Sequence, residues 1–279
     1  MNGRKENDRL RPGRDPFGAW TTCLKEEQAA VLNTLLELSP SPGLPAGVRL
    51  FVPENGEPLG DLGDEALNRL AVERARKKLD TLHPQSETCL FSLPGGRQAE
   101  VFVDVNLPPL ELVIFGAGHD AVPLVKFAVE SGFKTVVVDP RPAYATEERF
   151  PGARIIPADA GSWEERVIIG RRTFVVVMNH HLERDQAAIR FSLNSAAPYV
   201  GVLGPRSRRQ RMLEELERKG ITFGEEQMAR MYNPVGLDIG ADNPQEVAIS
   251  ILAEILAFRN GHPGGFLRGK DKIHQLARR

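Results

Sequence analysis

Residues 110–139 read LELVIFGAGHDAVPLVKFAVESGFKTVVVD, and this stretch decides the fold of the chain. The apolar run Leu112–Phe115 has the composition of a strand that is buried on both faces. Gly116–Ala121 follows at once and fits the pattern G-x-G-x-x-A, after which apolar residues recur at helical spacing. A second apolar strand, Thr135–Val138, ends in Asp139. Strand, glycine turn, helix and strand together predict a βαβ unit of the Rossmann type.

Each part of this unit has a physical role in binding a dinucleotide. Gly116 allows a sharp turn off the strand, Gly118 lets a phosphate approach the backbone, and Ala121 allows close helix packing. The free N–H groups at the helix start attract an anion. Asp139 lies about 20 residues further on, where a carboxylate accepts from ribose hydroxyls. The alternatives are a tight turn without a ligand and, for Asp139, a cap on the segment after Pro140.

The bulk composition excludes several classes of protein. The chain has 279 residues, a hydrophobic share of 41% and a net charge of −1. These values are normal for a packed core and give no global field for nucleic acid or an acidic membrane. The polar N-terminus is unlike a signal peptide, no apolar run is long enough to span a membrane, and Cys23 and Cys89 show no metal spacing. We therefore expect a cytoplasmic protein with no nucleic-acid or membrane partner.

The chain is predicted to have four parts. Residues 1–18 are charged and rich in Pro and Gly, and we expect them to be disordered. Residues 19–108 are expected to form a small α+β domain and residues 109–260 a Rossmann-like domain. Residues 261–279 form a basic tail, which we interpret as a solvated end.

The first domain is predicted to begin with a helix over Thr22–Leu38, because Ala29, Leu32, Leu35 and Leu36 fall on one side of it. The other predicted elements are a strand over Val48–Val52, a helix over Asp64–Leu79 and a β-hairpin of Thr88–Leu93 with Ala99–Val105.

In the second domain, strands continue to alternate with helices after the βαβ unit. This alternation predicts a doubly wound parallel sheet, and hence the α/β class. The further predicted strands are Arg154–Ile156, Phe174–Met178 and Tyr199–Leu203, and the predicted helices are Leu182–Leu193, Arg206–Lys219 and a last one, started by Asn243-Pro244, that ends near Arg259.

Ligands of such sheets bind beyond the carboxyl ends of the strands, where this chain places small, polar and basic residues. His119, Arg141, His180 and Arg206 would make the crevice suited to an anionic ligand such as a phosphate. Other readings stay open: Arg206, Arg208 and Arg209 as a solvated helix face, and Asp185 as an anchor for the loop of His180. No catalytic group is assigned, and His180-His181 lack a third ligand, so no metal site is predicted. The candidate cofactor-binding residues are Gly116, Ala117, Gly118, His119, Asp139, Arg141, Asn179, His180, Gly204 and Arg206.

Four stretches of the sequence resemble the XdhC/CoxI family, the accessory proteins of xanthine dehydrogenase and related molybdenum hydroxylases. They are LVIFGAGHDAVPLVKFAVESGFKTVVVDPRPAYATEERFP (112–151), VVVMNHHLERDQAAI (175–189), YVGVLGPRSRRQRML (199–213) and NPVGLDIGADNPQEVAISILAEILA (233–257). This set is far more specific than the glycine pattern alone.

The resemblance implies a chaperone and insertion factor rather than an enzyme. Such a protein would bind the molybdenum cofactor, as molybdopterin or its dinucleotide, with phosphate at Gly116–His119 and a polar or pterin contact near Asp139. It would support sulfuration of the cofactor with a cysteine desulfurase and insert the cofactor into a xanthine dehydrogenase-like molybdenum hydroxylase. A homodimer is a further expectation, for which no residue gives evidence.

Two departures from the family pattern bear on this expectation. The loop of Asn179-His180-His181 differs from the T-H-D-type loop that many members carry. The segment Gly60–Glu65 contains no cysteine, where many members have Ser-Gly-Gly-Cys with a candidate metal ligand. Two other functions are therefore weighed: an NAD(P)-dependent oxidoreductase, in which Asp139 would disfavour a 2′-phosphate, and a docking scaffold with a degenerate ligand site.

Overall fold

The computed structural model describes residues 15–39, 45–82 and 84–270, and the chain divides into two compact units, Met1–Pro108 and Pro109–Arg279. We expected residues 1–18 to be disordered, and residues 1–14 of this segment lie outside the described residues. For residues 15–18 the expectation is wrong, because Asp15 caps a helix that begins at Pro16. The side chain of Asp15 accepts the N–H groups of Phe17 and Gly18.

The described residues of the first unit form a five-stranded antiparallel sheet with two α-helices. Its strands lie in the order β3-β2-β1-β5-β4. The elements are α1 (Pro16–Lys25), β1 (Ala30–Ser39), β2 (Arg49–Pro53), β3 (Leu59–Gly60), α2 (Glu65–Leu79), β4 (Glu87–Leu93) and β5 (Arg97–Asn106). The predicted second helix and the predicted hairpin are confirmed.

The helix predicted over Thr22–Leu38 is wrong, since α1 ends at Lys25 and most of the segment is the central strand β1. Both faces of β1 are covered: Val31 and Leu35 belong to one apolar cluster, and Ala30 and Leu32 to another. A strand buried on both sides loses its alternation of apolar and polar residues. Its apolar residues can then match helical spacing by chance.

The second unit is a six-stranded parallel sheet in the order β11-β10-β9-β6-β7-β8. Its strands are β6 (Glu111–Phe115), β7 (Lys134–Val138), β8 (Arg154–Ile156), β9 (Thr173–Val177), β10 (Tyr199–Val202) and β11 (Met231–Tyr232). Its helices are α3 (Ala121–Glu130), α4 (Trp163–Arg166), α5 (Leu182–Leu193), α6 (Arg206–Arg218), α7 (Glu225–Ala229) and α8 (Pro244–Arg259).

Counted along the second unit, this strand order is that of the doubly wound Rossmann fold, so the predicted fold class is confirmed. The order reverses between β6 and β9, which is where ligands of such sheets bind. We call β6 to β8 the first half of the domain and β9 to β11 the second half. The predicted strands and long helices are all found, whereas β11 and α7 had not been predicted.

The two faces of the parallel sheet are covered by different helices. On one face, Phe115 of β6 packs against Trp163 of α4 and Phe191 of α5. On the other face, α3 packs against α8, and Phe258 of α8 contacts Phe174 of β9. Because both faces are closed, the central strands β9 and β10 are buried along their whole length, and β6 and β7 are buried except at their first residue. The sheet therefore presents its polar groups at the ends of its strands.

Candidate functional site

The first glycine of the turn after β6 is required by packing between the two halves. Gly116 has φ of +119°, a region that side chains rarely adopt. A Cβ atom at this position would lie 2.6 Å from the carbonyl oxygen of Met178 and 2.9 Å from the Cα atom of Asn179. The backbone after β6 therefore passes directly against the backbone after β9.

The second glycine has no such structural reason. Gly118 has no positive φ, and a Cβ atom there would meet only the ring of His180, at an ordinary contact distance of 3.9 Å. Within the described residues, no acceptor contacts the N–H of Gly118 or of His119, and α3 begins two residues further on. Two free N–H groups and a bare backbone at a helix start suit an anion.

Asp139, at the end of β7, is fully buried and already has hydrogen-bond partners. One carboxylate oxygen accepts the Ala117 N–H at 2.8 Å and Nη2 of Arg141 at 2.7 Å. The other accepts the backbone N–H and Nε of Arg141, both at 2.9 Å. Burial acts to raise the pKa of Asp139, but the hydrogen bonds from Arg141 and from the Ala117 N–H outweigh it and hold that pKa below its usual value. The predicted ribose acceptor thus holds the glycine turn.

The loop after β7 holds the same turn from the other side. Arg149 donates from Nη1 to the carbonyl oxygens of Ala117, at 2.9 Å, and Tyr144, at 2.7 Å. Its guanidinium lies 5.1 Å from the centre of the Tyr144 ring, and that of Arg141 lies 4.1 Å from it. Both backbone polar groups of Ala117 are therefore fixed, one by Asp139 and one by Arg149.

His180 connects the two halves across the switch point. Its Nε2 lies 3.2 Å from a carboxylate oxygen of Asp120, which directly precedes α3. Asp120 does not cap α3 with its side chain, so its carboxylate is available to the imidazole. His180 has φ of +58° and its side chain is 60% exposed. A strained backbone that presents an exposed imidazole beside Gly118 is typical of a functional position.

Asn179 is a buried anchor of the loop that carries His180. Its backbone N–H and its side-chain amide both donate to Asp185, at 3.0 and 3.1 Å. Asp185, on α5, is itself buried and accepts from Arg208 of α6 at 2.7 Å. Asp185 therefore anchors the loop of His180, and Arg208 belongs to this network rather than to a solvated helix face.

The end of β10 is tied to the same network. Gly204 has φ of +112°, and a Cβ atom there would lie 3.1 Å from Cδ of Arg208. The side-chain amide of Asn233 donates to the carbonyl oxygens of Val202 and Gly204, at 2.9 and 2.8 Å. Arg206 is exposed at the start of α6.

The structure thus joins most of the predicted site residues through hydrogen bonds. Asp139 links the ends of β6 and β7, the pair of His180 with Asp120 links those of β6 and β9, and Arg208 links those of β9 and β10. Tyr144, Arg149 and Asn233 were missed. The length of the loop between β7 and β8 could have pointed to Tyr144 and Arg149, since long loops in compact domains often carry function.

The grouping of the described His, Cys, Asp and Glu residues decides whether they could hold a metal ion. Among the described residues, no three His, Cys, Asp or Glu side chains are grouped so that they could hold a metal ion. Cys23 and Cys89 both belong to the first unit, and burial raises the pKa of each thiol. The segment without the family cysteine makes local contacts: Asp61 accepts the Gly63 N–H, and Asp64 caps α2. None of the described helices is both long and apolar enough to cross a membrane.

Comparison with known proteins gives consistent results. The family model of the XdhC Rossmann domain matches residues 112–255. A Bacillus subtilis protein named as a probable subunit of xanthine dehydrogenase is 34% identical over 75% of this chain and 57% of its own length. The uncharacterized protein YqeB of Escherichia coli is 30% identical over 78% of this chain and 42% of its own length. The chain therefore spans about half the length of these curated relatives.

A solved structure described as a xanthine dehydrogenase from Bacillus halodurans covers 87% of this chain and 95% of its own, with 22% identity and a TM-score of 0.49. The match that decides the family is that of residues 112–255, which contain the glycine turn, Asp139, the loop of His180 and the segment of Gly204. This chain belongs to the XdhC family.

Proposed function

We propose that this chain is an accessory factor that binds the molybdenum cofactor at the carboxyl edge of its parallel sheet and passes it to a xanthine dehydrogenase-type enzyme. One observation carries the proposal: the bare backbone at Gly118, which packing does not require, with the free N–H groups of Gly118 and His119 beside it. Family membership and the name of the Bacillus subtilis relative support the choice of client. The choice of cofactor rests on the family resemblance of the sequence.

The residues at this edge fit the phosphate end of the cofactor. Two N–H groups at the start of α3 would hold a phosphate dianion. His180 and Arg141 lie at the two strand ends that flank the turn, where they are paired with Asp120 and Asp139. The pterin would contribute its dithiolene and metal, which carry the reactivity of the client, while this chain would bind, orient and shield the molecule.

Thiolate ligation of the metal has no support in this chain. Asp61 and Asp64 replace the family cysteine segment by a turn and a helix cap. Cys89 lies on β4, with Sγ 3.6 Å from a carboxylate oxygen of Glu87. We therefore propose that the cofactor is held here by its phosphate and ring, and that its metal keeps non-protein ligands.

The finer steps of the proposal concern partners. As the family resemblance implies, sulfuration would be performed by a cysteine desulfurase docked on this chain. Homodimerisation and a cytoplasmic location complete the proposal. The location follows from the sequence, whereas the homodimer is an expectation for a chaperone that hands over its ligand, and no described residue or contact gives evidence for it.

The alternative of an NAD-dependent oxidoreductase is less well supported. The strand order suits a dinucleotide, but the carboxylate of Asp139 is occupied by Arg141 and by the Ala117 N–H. It could accept from a ribose diol only after losing these partners. A docking scaffold with a degenerate ligand site predicts that changes at Gly118 leave maturation of the client intact.

The test uses purified full-length protein that is incubated with molybdenum cofactor released from a donor enzyme and then passed through gel filtration. Bound molybdenum would be measured by mass spectrometry and the pterin by fluorescence, with NAD(H) and NADP(H) titrated in parallel by calorimetry. We expect stoichiometric cofactor with the wild-type protein and at least tenfold less with Gly118→Asp, because the added carboxylate repels the phosphate.

Gly170→Asp is the matched control, since it adds the same charge before β9, at the opposite edge of the sheet. A Cβ atom at Gly170 meets nothing within 4 Å, and its φ is not positive. This variant should keep wild-type cofactor binding and should mature the client in a coupled assay. Equal retention of cofactor by Gly118→Asp and Gly170→Asp would refute the proposed site.

A further inference from the structure

Two arginine side chains lie close together after the end of β7, beside the glycine turn. They belong to Arg141 and Arg149, whose guanidinium groups both lie over the ring of Tyr144. Neither guanidinium is deeply buried: the side chain of Arg141 is 36% exposed and Arg149 is half-buried. We refer to these two arginines as the arginine pair.

The position of the arginine pair corresponds to the end of the second strand of a Rossmann fold. In that fold the ribose next to the adenine ring lies here, and an acidic residue accepts from its hydroxyls. In this chain the acidic residue is Asp139, which is fully buried behind Arg141. What faces a ligand at this position is therefore the outer edge of a guanidinium group.

The charges of the arginine pair and Asp139 do not cancel, whereas the whole segment 139–149 carries a net charge of −1 because of Glu147 and Glu148. Asp139 neutralises one positive charge, whereas Arg149 donates only to two neutral carbonyl oxygens, those of Ala117 and Tyr144. The arginine pair and Asp139 together keep one net positive charge at the strand end. Glu147 and Glu148 are exposed in the same loop, and no described contact joins either to Arg141 or Arg149.

We propose that the arginine pair is a subsite for a second phosphate group, at the end of β7, in addition to the phosphate subsite at the glycine turn. Arg141 contacts that phosphate and Asp139 orients Arg141. Arg149 contributes positive charge and fixes the turn through Ala117. The subsite rejects a free ribose diol, because both oxygens of the Asp139 carboxylate already accept from Arg141 and the Ala117 N–H.

This inference rests on the proposed function in one respect only, which is that the glycine turn holds the first phosphate. The two can be tested separately, because the subsite can be probed with nucleotides that contain neither pterin nor molybdenum. ADP-ribose and 2′-phospho-ADP-ribose differ by one phosphate at the position that Arg141 would contact.

The experiment is calorimetric titration of the full chain with these two probes. We expect 2′-phospho-ADP-ribose to bind at least tenfold more tightly than ADP-ribose, which is the size of effect that a charge-assisted hydrogen bond gives. In Arg141→Gln the preference should vanish or reverse, because Asp139 loses its partner and then repels the phosphate. Arg141→Lys should keep part of the preference by charge alone.

Two further variants distinguish direct contact with the phosphate, by Arg141, from the positioning of the glycine turn, by Arg149. Arg149→Gln should weaken both probes, because the turn loses its anchor, while the ratio of the two affinities changes less than in Arg141→Gln. Arg154→Gln is the control: this arginine begins β8 at the opposite edge, 3.8 Å from Glu111. It should leave both affinities unchanged.

Equal affinities for the two probes, tighter binding of ADP-ribose, or no binding of either would overturn the second subsite. Cofactor binding measured on the same preparations distinguishes the two proposals. If the cofactor binds and the probes show no preference, only the subsite falls. If the preference holds and the cofactor does not bind, the subsite stands and the proposed function falls.

Discussion

In the first half of the Rossmann domain, the buried Asp139 accepts the Ala117 N–H and the guanidinium of Arg141. In the second half, the buried Asp185 accepts the Asn179 N–H and the guanidinium of Arg208. Asp139 therefore fixes the backbone that follows the neighbouring strand β6, and Asp185 fixes the backbone that follows the preceding strand β9. Each carboxylate is also paired with an arginine.

The two halves differ in what they leave free. The first half presents backbone, since Gly118 carries no side chain and has an unused N–H group. The second half presents a side chain, the exposed imidazole of His180 on a backbone of positive φ. The same anchoring device thus leaves free backbone N–H groups on one side and an exposed imidazole on the other, with Asp120 joining them.

The largest effect is expected where the two halves touch. Gly116→Ala should lower the free energy of unfolding by about 4 kcal/mol, because it combines an unfavourable φ with a clash against backbone atoms of Met178 and Asn179. Urea denaturation followed by circular dichroism measures this change. A loss below about 1 kcal/mol would mean that the halves are not in close backbone contact.

The second comparison is between the two buried carboxylates. Asp139→Ala should cost about 3 kcal/mol and Asp185→Ala about 2 kcal/mol, since Asp139 holds two backbone N–H groups and Asp185 holds one. Both values allow for partial hydration of the arginines once they are released. Equal or inverted losses in parallel urea titrations would show that the first half is not the more tightly anchored one.

The pH dependence of stability should reveal Asp139. Its pKa is lower in the folded protein than in the unfolded chain, where an aspartate has a pKa near 3.9. Its contribution is therefore fully present above that value and is lost as the pH falls through the folded pKa. The stability gap between wild type and Asp139→Asn should be constant from pH 7 to about pH 5 and should narrow below about pH 4. A gap that widens on acidification would contradict the assignment.

The smallest effect on stability is expected at the second glycine. Gly118→Ala should change the free energy of unfolding by less than about 1 kcal/mol, because the added methyl group meets only the His180 ring at contact distance. The same change should weaken cofactor binding about tenfold or more by filling the space of the phosphate. Unchanged binding, measured by bound molybdenum, would remove Gly118 from the site.

The fold of the second unit could be predicted from the sequence because its strands are uninterrupted apolar runs and its turns carry glycines at fixed spacing. The first unit was harder to predict. Its central strand β1 is covered on both faces, so that Leu32 and Leu35 fit helical spacing as well as a strand. Local pattern cannot distinguish these cases, because the difference lies in which distant elements cover each face.

The position of the candidate site could be predicted from the sequence, but the roles of its residues could not. Glycine spacing located the turn, yet the sequence could not show that Asp139 is already occupied, since its partner Arg141 is only two residues away and could equally have faced solvent. Arg149 was missed because its contact with Ala117 joins residues that are far apart in the chain. The hypothesis that Asp185 anchors the loop of His180 agrees with the hydrogen bond that its carboxylate accepts from the Asn179 N–H.

The most direct test of an anion site at the first half is amide NMR of the full, deuterated chain during titration with inorganic phosphate and then with molybdenum cofactor. We predict saturable shifts of the Gly118 and His119 amide signals. The amides of Asn179, which is bonded to Asp185, and of Gly170, at the opposite edge, should stay nearly constant. Shifts confined to the second half, or none at saturating cofactor, would contradict the proposal that Gly118 holds the ligand.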